Sequence, residues 1–362
     1  MTSRLRPIRN LNIDHGERLT TPADLLGEIA VTEDDVALIV RARDDIRRIL
    51  AREDDRLLVV VGPCSVHDVD AALDYARRLS AKRAELDADL SIVMRVYFEK
   101  PRTTTGWKGM INDPDLDDSG NVNAGLRKAR GVLADVLALG LPVACEFLDP
   151  ITPQYISDLV AWGAIGARTS ESQIHRQLAS GLSMPVGFKN GTEGDVGIAV
   201  DAVRAAATPH AFAGIDDSGA ATTMHTKGNP DCHVILRGGR HGPNYDEASV
   251  AEALGRLRAA GLPERVIVDA SHDNSGKDHT RQPDVAREIA RQVAAGNQAI
   301  VGMMLESFIA PGRQSFVPGE PLAYGQSITD ECIGWDTSVA LLDEIAEAVR
   351  ARRADGVQSP AA

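Results

Sequence analysis

Short apolar runs alternate with longer stretches of mixed apolar and polar residues between about residue 57 and residue 306. Most of these runs are continuously apolar, which is typical of parallel strands that are buried on both faces of a sheet. The pattern predicts eight strands, at Leu57–Val61, Ile92–Phe98, Pro142–Phe147, Ala164–Arg168, Pro185–Phe188, His233–Leu236, Val266–Val268 and Ala299–Leu305.

The stretches between the predicted strands carry helix start and stop signals. Asp68 can cap a helix over Val69–Leu86. Thr152-Pro153 combines a capping residue with a proline at the first helical position, and predicts a short helix that ends at Gly163. Three further helices are predicted just before a glycine, at Asn123–Leu139, Asp246–Ala260 and Pro283–Ala295.

The number of strands and crossovers predicts the fold class. Eight strands, each followed by a crossover, predict an α/β protein with a closed (β/α)8 TIM barrel over residues 57–353. A doubly wound parallel sheet is the alternative. That fold requires a glycine-rich fingerprint after the first strand, and Gly62-Pro63-Cys64-Ser65 does not supply one.

Three segments lie outside the basic barrel pattern. Residues 1–56 form an N-terminal extension with a predicted helix at Asp34–Arg52. Residues 211–232, between the fifth and sixth predicted strands, have the pattern of a β-hairpin insertion. A last helix is predicted at Thr337–Arg353, and the Gly-, Ser-, Pro- and Ala-containing residues 354–362 are predicted to be a disordered tail.

The charge balance excludes several classes of protein. The 362 residues include 39 Lys and Arg against 52 Asp and Glu, a formal charge of −13, and the basic residues do not form blocks. We therefore expect no nucleic-acid partner. No apolar run approaches the ~20 residues that span a bilayer, so no membrane partner is expected, and the N-terminus lacks the pattern of a secretory signal. Four cysteines without a CxxC pair favour a reduced, cytoplasmic chain.

Cationic residues recur where the predicted strands end. In a barrel of this kind the chemistry lies at the C-terminal ends of the strands. The cations at these positions, or in the loops directly after them, are Arg95, Lys100, Arg102, Arg168, Lys189 and Arg237. Because a guanidinium fork holds phosphate and carboxylate groups bidentately, this set predicts a site for anionic substrates.

A second set of residues has metal-ligating side chains. Cys64, His272 and Glu306 stand at strand ends, and Asp330 lies beyond the eighth strand. A thiolate, an imidazole and two carboxylates make a mixed-ligand site for a divalent transition metal. Singly, a buried cysteine, a hydrogen-bonded histidine or an ion-paired arginine is ordinary structure. Together at one mouth, these residues indicate an anion-binding metalloenzyme.

Several blocks of the chain carry a more specific resemblance. The blocks are LLVVVGPCSVH at 57–67, MRVYFEKPRTT at 94–104, GARTSESQ at 166–173, PVGFKNGT at 185–192, CHVILRGG at 232–239, DASH at 269–272 and ITDECIGW at 328–335. Together they resemble the type I 3-deoxy-D-arabino-heptulosonate 7-phosphate (DAHP) synthases, over nearly the whole chain. The extension and the hairpin resemble the microbial, feedback-regulated branch of that family, in which such additions are linked to oligomerisation and inhibition.

The resemblance implies a transferase that joins phosphoenolpyruvate to erythrose 4-phosphate with release of phosphate, at the first step of the shikimate pathway. The metal ligands would be Cys64, His272, Glu306 and Asp330, holding one divalent ion of Mn, Fe, Co or Zn. The residues implied to bind phosphoenolpyruvate are Arg95, Lys100, Arg168, Lys189 and Arg237, and those implied to bind the tetrose phosphate are Arg102 and Thr103.

Two residues have expected roles in the chemistry. We expect Lys100 to protonate the developing alkoxide, with a pKa lowered by the positive charge of its neighbour Arg95. Glu146 is expected to orient the water that adds to C2 of phosphoenolpyruvate. Cys64 and His272 act in this chemistry as ligands of the metal, which serves as a Lewis acid on the aldehyde.

The resemblance also implies an effector pocket, with an aromatic amino acid as inhibitor. Its residues would be Asp149, Pro153, Gln154, Ser183, Phe212 and Gly214. The glycine at 214 leaves room where relatives that prefer phenylalanine often have a serine, so we favour tyrosine as the inhibitor; phenylalanine or no inhibitor are the alternatives, and the glycine can also serve hairpin geometry alone. A homodimer or homotetramer is expected.

Two alternative functions stand beside this interpretation. The first is the related condensation of phosphoenolpyruvate with arabinose 5-phosphate, whose enzymes carry an Asn-containing sequence in place of Lys100-Pro101-Arg102-Thr103. The second is a non-catalytic regulatory subunit that keeps the barrel as a scaffold. The complete sets of metal-type and anion-binding residues argue against the second.

Overall fold

Eight parallel strands close into a barrel in the computed structural model, which describes residues 8–102 and 106–358, with side chains as far as residue 354. The predicted (β/α)8 barrel is confirmed. The barrel strands are β1 Leu57–Gly62, β2 Leu90–Arg95, β3 Val143–Glu146, β4 Trp162–Ile165, β5 Val186–Lys189, β8 His233–Leu236, β9 Val266–Asp269 and β10 Ile300–Glu306. The last strand pairs with the first, so the barrel has no free edge.

Two helices precede the first barrel strand, and the others follow barrel strands along the chain. They are α1 Pro22–Glu28, α2 Glu33–Ala51, α3 Val69–Leu86, α4 Val122–Ala138, α5 Pro153–Ile156, α6 Gln173–Gly181, α7 Gly197–Ala206, α8 Glu247–Ala259, α9 Gln282–Ala294 and α10 Trp335–Gln358. Asp68 and Asp246 accept backbone N–H bonds at the starts of α3 and α8 and thereby cap them. Within the described residues no helix has the length and apolarity that a membrane span requires.

The extension closes one end of the barrel. Thr32 and Asp35 form a reciprocal capping box at the start of α2, which fixes where this helix begins. Ile46 and Ile49 of α2 are buried in one cluster with Trp162 and other inward-facing residues of the strands. This helix therefore plugs the end where the strands begin, and the opposite end, where the strands finish, is left for the site.

A two-stranded antiparallel sheet interrupts the crossover from β5 to β8. Its strands are β6 Ala211–Ile215 and β7 Ala221–His225, with Phe212 opposite Met224 and Gly214 opposite Thr222. Its side chains alternate between exposed and half-buried positions, as expected of a sheet with one solvated face. The predicted hairpin insertion is thus confirmed.

Two predicted boundaries around the fourth strand are wrong. Gly163 does not end a helix but lies inside β4, where a Cβ would come within 3.1 Å of the Phe147 ring. A larger side chain at this position would press on the Phe147 ring, which directly follows the neighbouring strand β3. Thr152 does not cap α5 with its side chain; its hydroxyl donates to Glu99 at 3.3 Å instead.

The last helix is longer than the sequence pattern predicts. It continues to Gln358, whereas the prediction ends it at Arg353 and assigns residues 354–362 to a disordered tail. Gly356 lies within the helix, so the glycine does not stop it. Residues 359–362 lie outside the described part of the chain, and the prediction for them stays a prediction.

Candidate active site

The C-terminal ends of the strands surround a cavity of about 680 Å³. The carboxyl ends of all eight barrel strands point to this end, which is why residues far apart in the sequence meet here. The charged residues that line it are Arg95, Lys100, Arg102, Arg168, Lys189, Arg237, Arg240 and Lys277 on the cationic side, and Glu146, Asp273 and Asp330 on the acidic side, with His272 among them. The excess of cations makes the cavity a site for anions.

Arg95 projects from the end of β2 into the floor of the cavity and is fully buried. Its Nη2 donates to Glu306 Oε1 at 2.9 Å, and its guanidinium lies 4.0 Å from the centre of the Tyr97 ring. Burial alone would lower the pKa of Arg95, but Tyr97, Glu306 and Cys64 outweigh it and raise that pKa above its usual value. This arginine is a permanent positive charge at the base of the site.

The four residues predicted as metal ligands converge beside Arg95. Ligand atoms of Cys64, Glu306 and Asp330 all lie within 4.8 Å of one another. Cys64 Sγ lies 3.7 Å from Asp330 Oδ2, and His272 Nε2 lies 3.6 Å from Glu306 Oε1. The structure thus brings a sulfur, a nitrogen and two carboxylates to one place, and this group of residues can hold a metal ion.

Two further observations fit a metal at this group. Burial and the nearby Glu306 raise the pKa of the Cys64 thiol to about 12, so the thiolate needs a strong positive charge beside it. Asp269 Oδ2 lies 2.8 Å from His272 Nδ1, which leaves Nε2 turned toward Glu306. A carboxylate behind a histidine is the usual support of a metal-ligating imidazole.

Asp269 links the metal-type group to the cations. It is fully buried at the end of β9, and its Oδ2 lies 3.4 Å from Lys189 Nζ as well as close to His272. Burial alone would raise the pKa of Asp269, but the neighbouring His272 and Lys189 hold it well below its usual value. This carboxylate is therefore ionised and orients both partners.

Lys100 sits beside the thiol but does not have the expected pKa. Its Nζ lies 3.1 Å from Cys64 Sγ and 3.2 Å from the Cys64 carbonyl oxygen. Burial alone would lower the pKa of Lys100, but Cys64, Asp330 and Glu306 outweigh it and raise that pKa. The prediction of a lowered pKa is wrong, because Cys64 and the carboxylates Asp330 and Glu306 around Lys100 outweigh its burial.

The remaining predicted substrate residues line the same cavity. Lys189 is buried and lies 3.8 Å from Glu146 Oε2, while Arg102 and Arg168 are exposed at the cavity wall. A Cβ at Gly166 would come within 2.7 Å of Glu146 Oε1, so the glycine leaves room for this carboxylate. Thr103, predicted to contact the tetrose phosphate, lies outside the described residues.

Three charged residues of the cavity are not among the sequence predictions: Asp273, Arg240 and Lys277. Asp273 and Lys277 come one and five positions after His272, and Arg240 comes three positions after Arg237. The backbone of His272 and Lys277 has positive φ, at 52° and 63°, and the Lys277 N–H bonds the His272 carbonyl. The sequence Asp273-Asn274-Ser275-Gly276 indicates a turn, but it does not indicate that the turn carries Asp273 and Lys277 back into the cavity.

The residues predicted for an effector pocket lie on three elements. Asp149, Pro153 and Gln154 belong to the loop after β3 and to α5, and Ser183 follows α6. Phe212 and Gly214 lie on β6 of the hairpin. His175 of α6 contacts the Leu148 carbonyl at 2.7 Å, which ties the first of these elements to the second. Their common role stays a prediction.

The fold and site define a class of protein: a (β/α)8-barrel enzyme that binds anionic substrates beside a group of residues suited to a metal ion. The model of the DAHP synthetase I family matches residues 28–343. The chain therefore belongs to the DAHP synthetase I family.

Named relatives agree with this assignment. The chain is 56% identical over 343 residues to a phospho-2-dehydro-3-deoxyheptonate aldolase of Corynebacterium glutamicum, covering 93% of both chains. It is 55% identical over 344 residues to the Phe-sensitive enzyme of that name from Escherichia coli, covering 95% of this chain and 98% of the relative. A solved structure of the enzyme from Francisella tularensis superposes with a TM-score of 0.93 at 48% identity, covering 94% of this chain and all of that one.

Proposed function

We propose that this chain condenses phosphoenolpyruvate with erythrose 4-phosphate and water to give DAHP and inorganic phosphate. The observation that carries the proposal is the meeting of the cations with Cys64, His272, Glu306 and Asp330 in one cavity. Phosphoenolpyruvate has a carboxylate and a phosphate, and the tetrose adds a second phosphate. Their mutual repulsion in one cavity requires several fixed cations.

The substrates divide between two sets of residues. Phosphoenolpyruvate is bound by Arg95, Lys100, Arg168, Lys189 and Arg237. The tetrose phosphate is bound by Arg102, on the loop after β2, and by Thr103. Support for the first set comes from the buried positions of Arg95, Lys189 and Arg237, where low solvent exposure strengthens each contact with an anion.

The proposed metal ligands are Cys64, His272, Glu306 and Asp330, holding one divalent ion of Mn, Fe, Co or Zn. When bound, the ion supplies a Lewis acid for the aldehyde oxygen of the tetrose. The softness of the sulfur ligand favours a transition metal over Mg²⁺ or Ca²⁺. The buried Arg95 holds Glu306 in place for the ion by donating from Nη2 to Oε1 at 2.9 Å.

Lys100 and Glu146 carry the proposed proton and water steps. C3 of phosphoenolpyruvate attacks the aldehyde carbon, and Lys100 Nζ gives a proton to the oxygen that becomes a hydroxyl. The raised pKa of Lys100 keeps this proton in place until that oxygen develops charge. Glu146, 3.8 Å from Lys189, orients the water that adds to C2, after which the C2–O bond to phosphate breaks.

A substitution at Lys100 tests the proton-donor role directly. We expect Lys100→Met to lose roughly 10²- to 10⁴-fold in kcat, the usual contribution of a positioned acid. Identification of the heptulosonate product by mass spectrometry confirms the reaction for the wild type. A Lys100→Met variant with full turnover excludes the lysine as donor.

We further propose that an aromatic amino acid, tyrosine in preference, inhibits the enzyme at the predicted effector residues. Relatives named Phe-sensitive and Tyr-sensitive support an effector of this class. A Cβ at Gly214 would come within 2.8 Å of Met224 Cγ, so the glycine keeps space against β7. Titration of the activity with phenylalanine, tyrosine and tryptophan tests this, and insensitivity to all three contradicts it.

The proposed assembly is a homodimer or homotetramer in which residues 1–56 take part. Ile8, Leu11 and Ile13 are 78%, 68% and 61% exposed, an apolar segment that a second copy of the chain would cover. Sedimentation at micromolar concentration tests this, with a monomer as the contradicting result. The four free, buried cysteines support the cytoplasmic location expected from the sequence.

A further inference from the structure

Asp273 is an acid inside the cationic cavity, and the proposed function gives it no task. It follows His272 in the single 3-10 turn His272–Asn274, and its Oδ2 accepts a hydrogen bond from Nη1 of Arg237. The side chain of Arg237 is 7% exposed and that of Asp273 is 25% exposed. The acid therefore reaches from the cavity wall to a cation that is proposed to bind phosphoenolpyruvate.

The backbone around this ion pair is fixed by buried hydrogen bonds. The side-chain amide of Asn274 donates to the carbonyls of Leu236 and Asp269, and the Asn274 N–H bonds the Arg237 carbonyl. A Cβ at Gly238 would come within 2.6 Å of the Asn274 nitrogen, so the two loops are in close contact. The approach of Asp273 to Arg237 is thus a built feature of the cavity and not a surface contact.

Arg237 has donor capacity that the described residues do not use. Its Nε–H is buried and has no hydrogen-bond partner among them. A buried donor without a partner is unfavourable, and an anionic oxygen in the cavity would satisfy it. Asp273 satisfies Nη1 and leaves Nε for a ligand.

We propose that Asp273 is an internal counter-ion that competes with the substrate anion for Arg237 and thereby sets the affinity for phosphoenolpyruvate. In the ligand-free protein the carboxylate neutralises a guanidinium that has little contact with water. When the anion binds, it takes over Arg237 and the carboxylate turns toward solvent. Asp273 thus stabilises the ligand-free protein. It weakens substrate binding, because the Asp273 carboxylate and the substrate anion repel each other when both lie beside Arg237.

The inference rests on the proposed function for the identity of the anion, and a binding experiment without turnover tests it. Wild type and Asp273→Asn, both saturated with Mn²⁺, are titrated with phosphoenolpyruvate in a calorimeter with no tetrose present. We expect the Kd of the variant to be roughly five- to tenfold lower, because a nearby like charge is removed. The ligand-free variant melts at a lower temperature, and phosphoenolpyruvate raises its melting temperature more than that of the wild type.

Glu193→Gln is the matched control. Glu193 pairs with Arg240 of the same cavity at 3.4 Å, but these side chains are 51% and 77% exposed. The same change in net charge there shifts the Kd less than twofold, because solvent screens an exposed pair. Asp273→Ala, which also removes the charge, is expected to bind as tightly as Asp273→Asn and serves if the latter does not fold.

The outcomes separate this inference from the proposed function. Unchanged or weaker binding of phosphoenolpyruvate by both Asp273 variants overturns the inference, and weaker binding would make Asp273 a residue that orients Arg237. Turnover of the two substrates by the wild type is measured beside the titrations. Wild-type turnover with no gain in affinity contradicts the inference alone, and absence of wild-type turnover contradicts the proposed function.

Discussion

The two ends of the barrel use buried arginines in opposite ways. At the closed end, Arg265 donates to the backbone carbonyls of Leu50, Pro230 and Cys232, which belong to three different segments of the chain. At the open end, Arg95 and Arg237 pair with carboxylates and face a cavity. The first arrangement ties elements together, and the second keeps charge available for a ligand.

The pKa shifts of the buried arginines also differ between the two ends of the barrel. Burial lowers the pKa of Arg265, and it lowers that of Arg43, another arginine bonded to backbone carbonyls, to about 10. At the open end burial also opposes the charge of Arg95, but the nearby acids and Tyr97 outweigh it and raise the pKa. Burial of a cation thus marks a structural role when carbonyls surround it, and a functional one when acids and a cavity do.

Replacing a cysteine at each end of the barrel is expected to give the largest difference in kcat between two variants. Cys64→Ala removes the sulfur from the proposed metal group, and we expect a loss of roughly 10³-fold or more in kcat together with weaker binding of Mn²⁺. Cys232→Ala, at the start of β8, removes a buried thiol of similar size, 3% exposed. It costs about 1 kcal/mol of stability and leaves kcat within twofold. Equal losses of kcat would contradict the division between the two ends.

Arginines at the two ends are expected to separate affinity from stability. Arg168→Met, at the exposed cavity wall, raises the KM for phosphoenolpyruvate roughly 10- to 100-fold through loss of a charge-assisted contact, with little change in urea denaturation. Arg265→Met leaves three carbonyls without their donor, so the free energy of unfolding falls by about 2–4 kcal/mol while KM stays the same. The prediction fails if Arg265→Met changes KM or if Arg168→Met unfolds the protein.

A histidine at the closed end gives a smaller, pH-dependent effect. His233 is fully buried, accepts from Trp162 Nε1 at 3.1 Å, and has its pKa lowered by burial from 6.5 to about 3. The unfolded chain takes up a proton below pH 6.5 that the folded chain refuses, so this stability is complete above pH 6.5 and is lost as the pH falls toward 3. At pH 5 the loss is about 2 kcal/mol.

The matched variant isolates the contribution of His233 from those of other groups. Burial raises the pKa of Glu99 to about 8, so its contribution to the free energy of unfolding increases as the pH falls from 8 to 4.5, opposite to that of His233. The pH dependence of wild-type stability alone therefore does not isolate His233. The free energies of unfolding of wild type and His233→Gln are measured with urea at pH 7 and at pH 5. We expect the advantage of the wild type to be about 2 kcal/mol smaller at pH 5 than at pH 7. An exposed control, His225→Gln in the hairpin, keeps the wild-type dependence, and parallel curves for His233→Gln contradict the assignment.

The sequence is sufficient for the barrel and for the strand-end residues, because both depend on short-range patterns. Continuous apolar runs mark strands buried on both faces, and residues directly after them, such as Cys64 and Lys189, must lie at the open end. The loops are less predictable. The left-handed backbone at His272 brings Asp273 and Lys277 into the cavity, and the turn sequence that follows it does not indicate this placement.

Charge environment is the other property that a linear reading misses. Arg95 precedes Lys100 by five positions in the sequence, yet Cys64, Asp330 and Glu306 come from distant segments and raise the pKa of Lys100 instead of lowering it. The error at Gly163 has the same origin. Gly163 has the pattern of a helix stop along the chain, but it lies inside β4 and packs closely against Phe147, which follows the neighbouring strand β3.

The release of inorganic phosphate tests the central claim most directly. The metal-loaded chain is mixed with phosphoenolpyruvate and erythrose 4-phosphate, with arabinose 5-phosphate in a parallel reaction, and each is repeated after a chelator and after restored Mn²⁺. We predict phosphate release with the tetrose, little with the pentose, loss with the chelator and recovery with the metal. Release that needs no tetrose, prefers the pentose or survives the chelator would contradict the account.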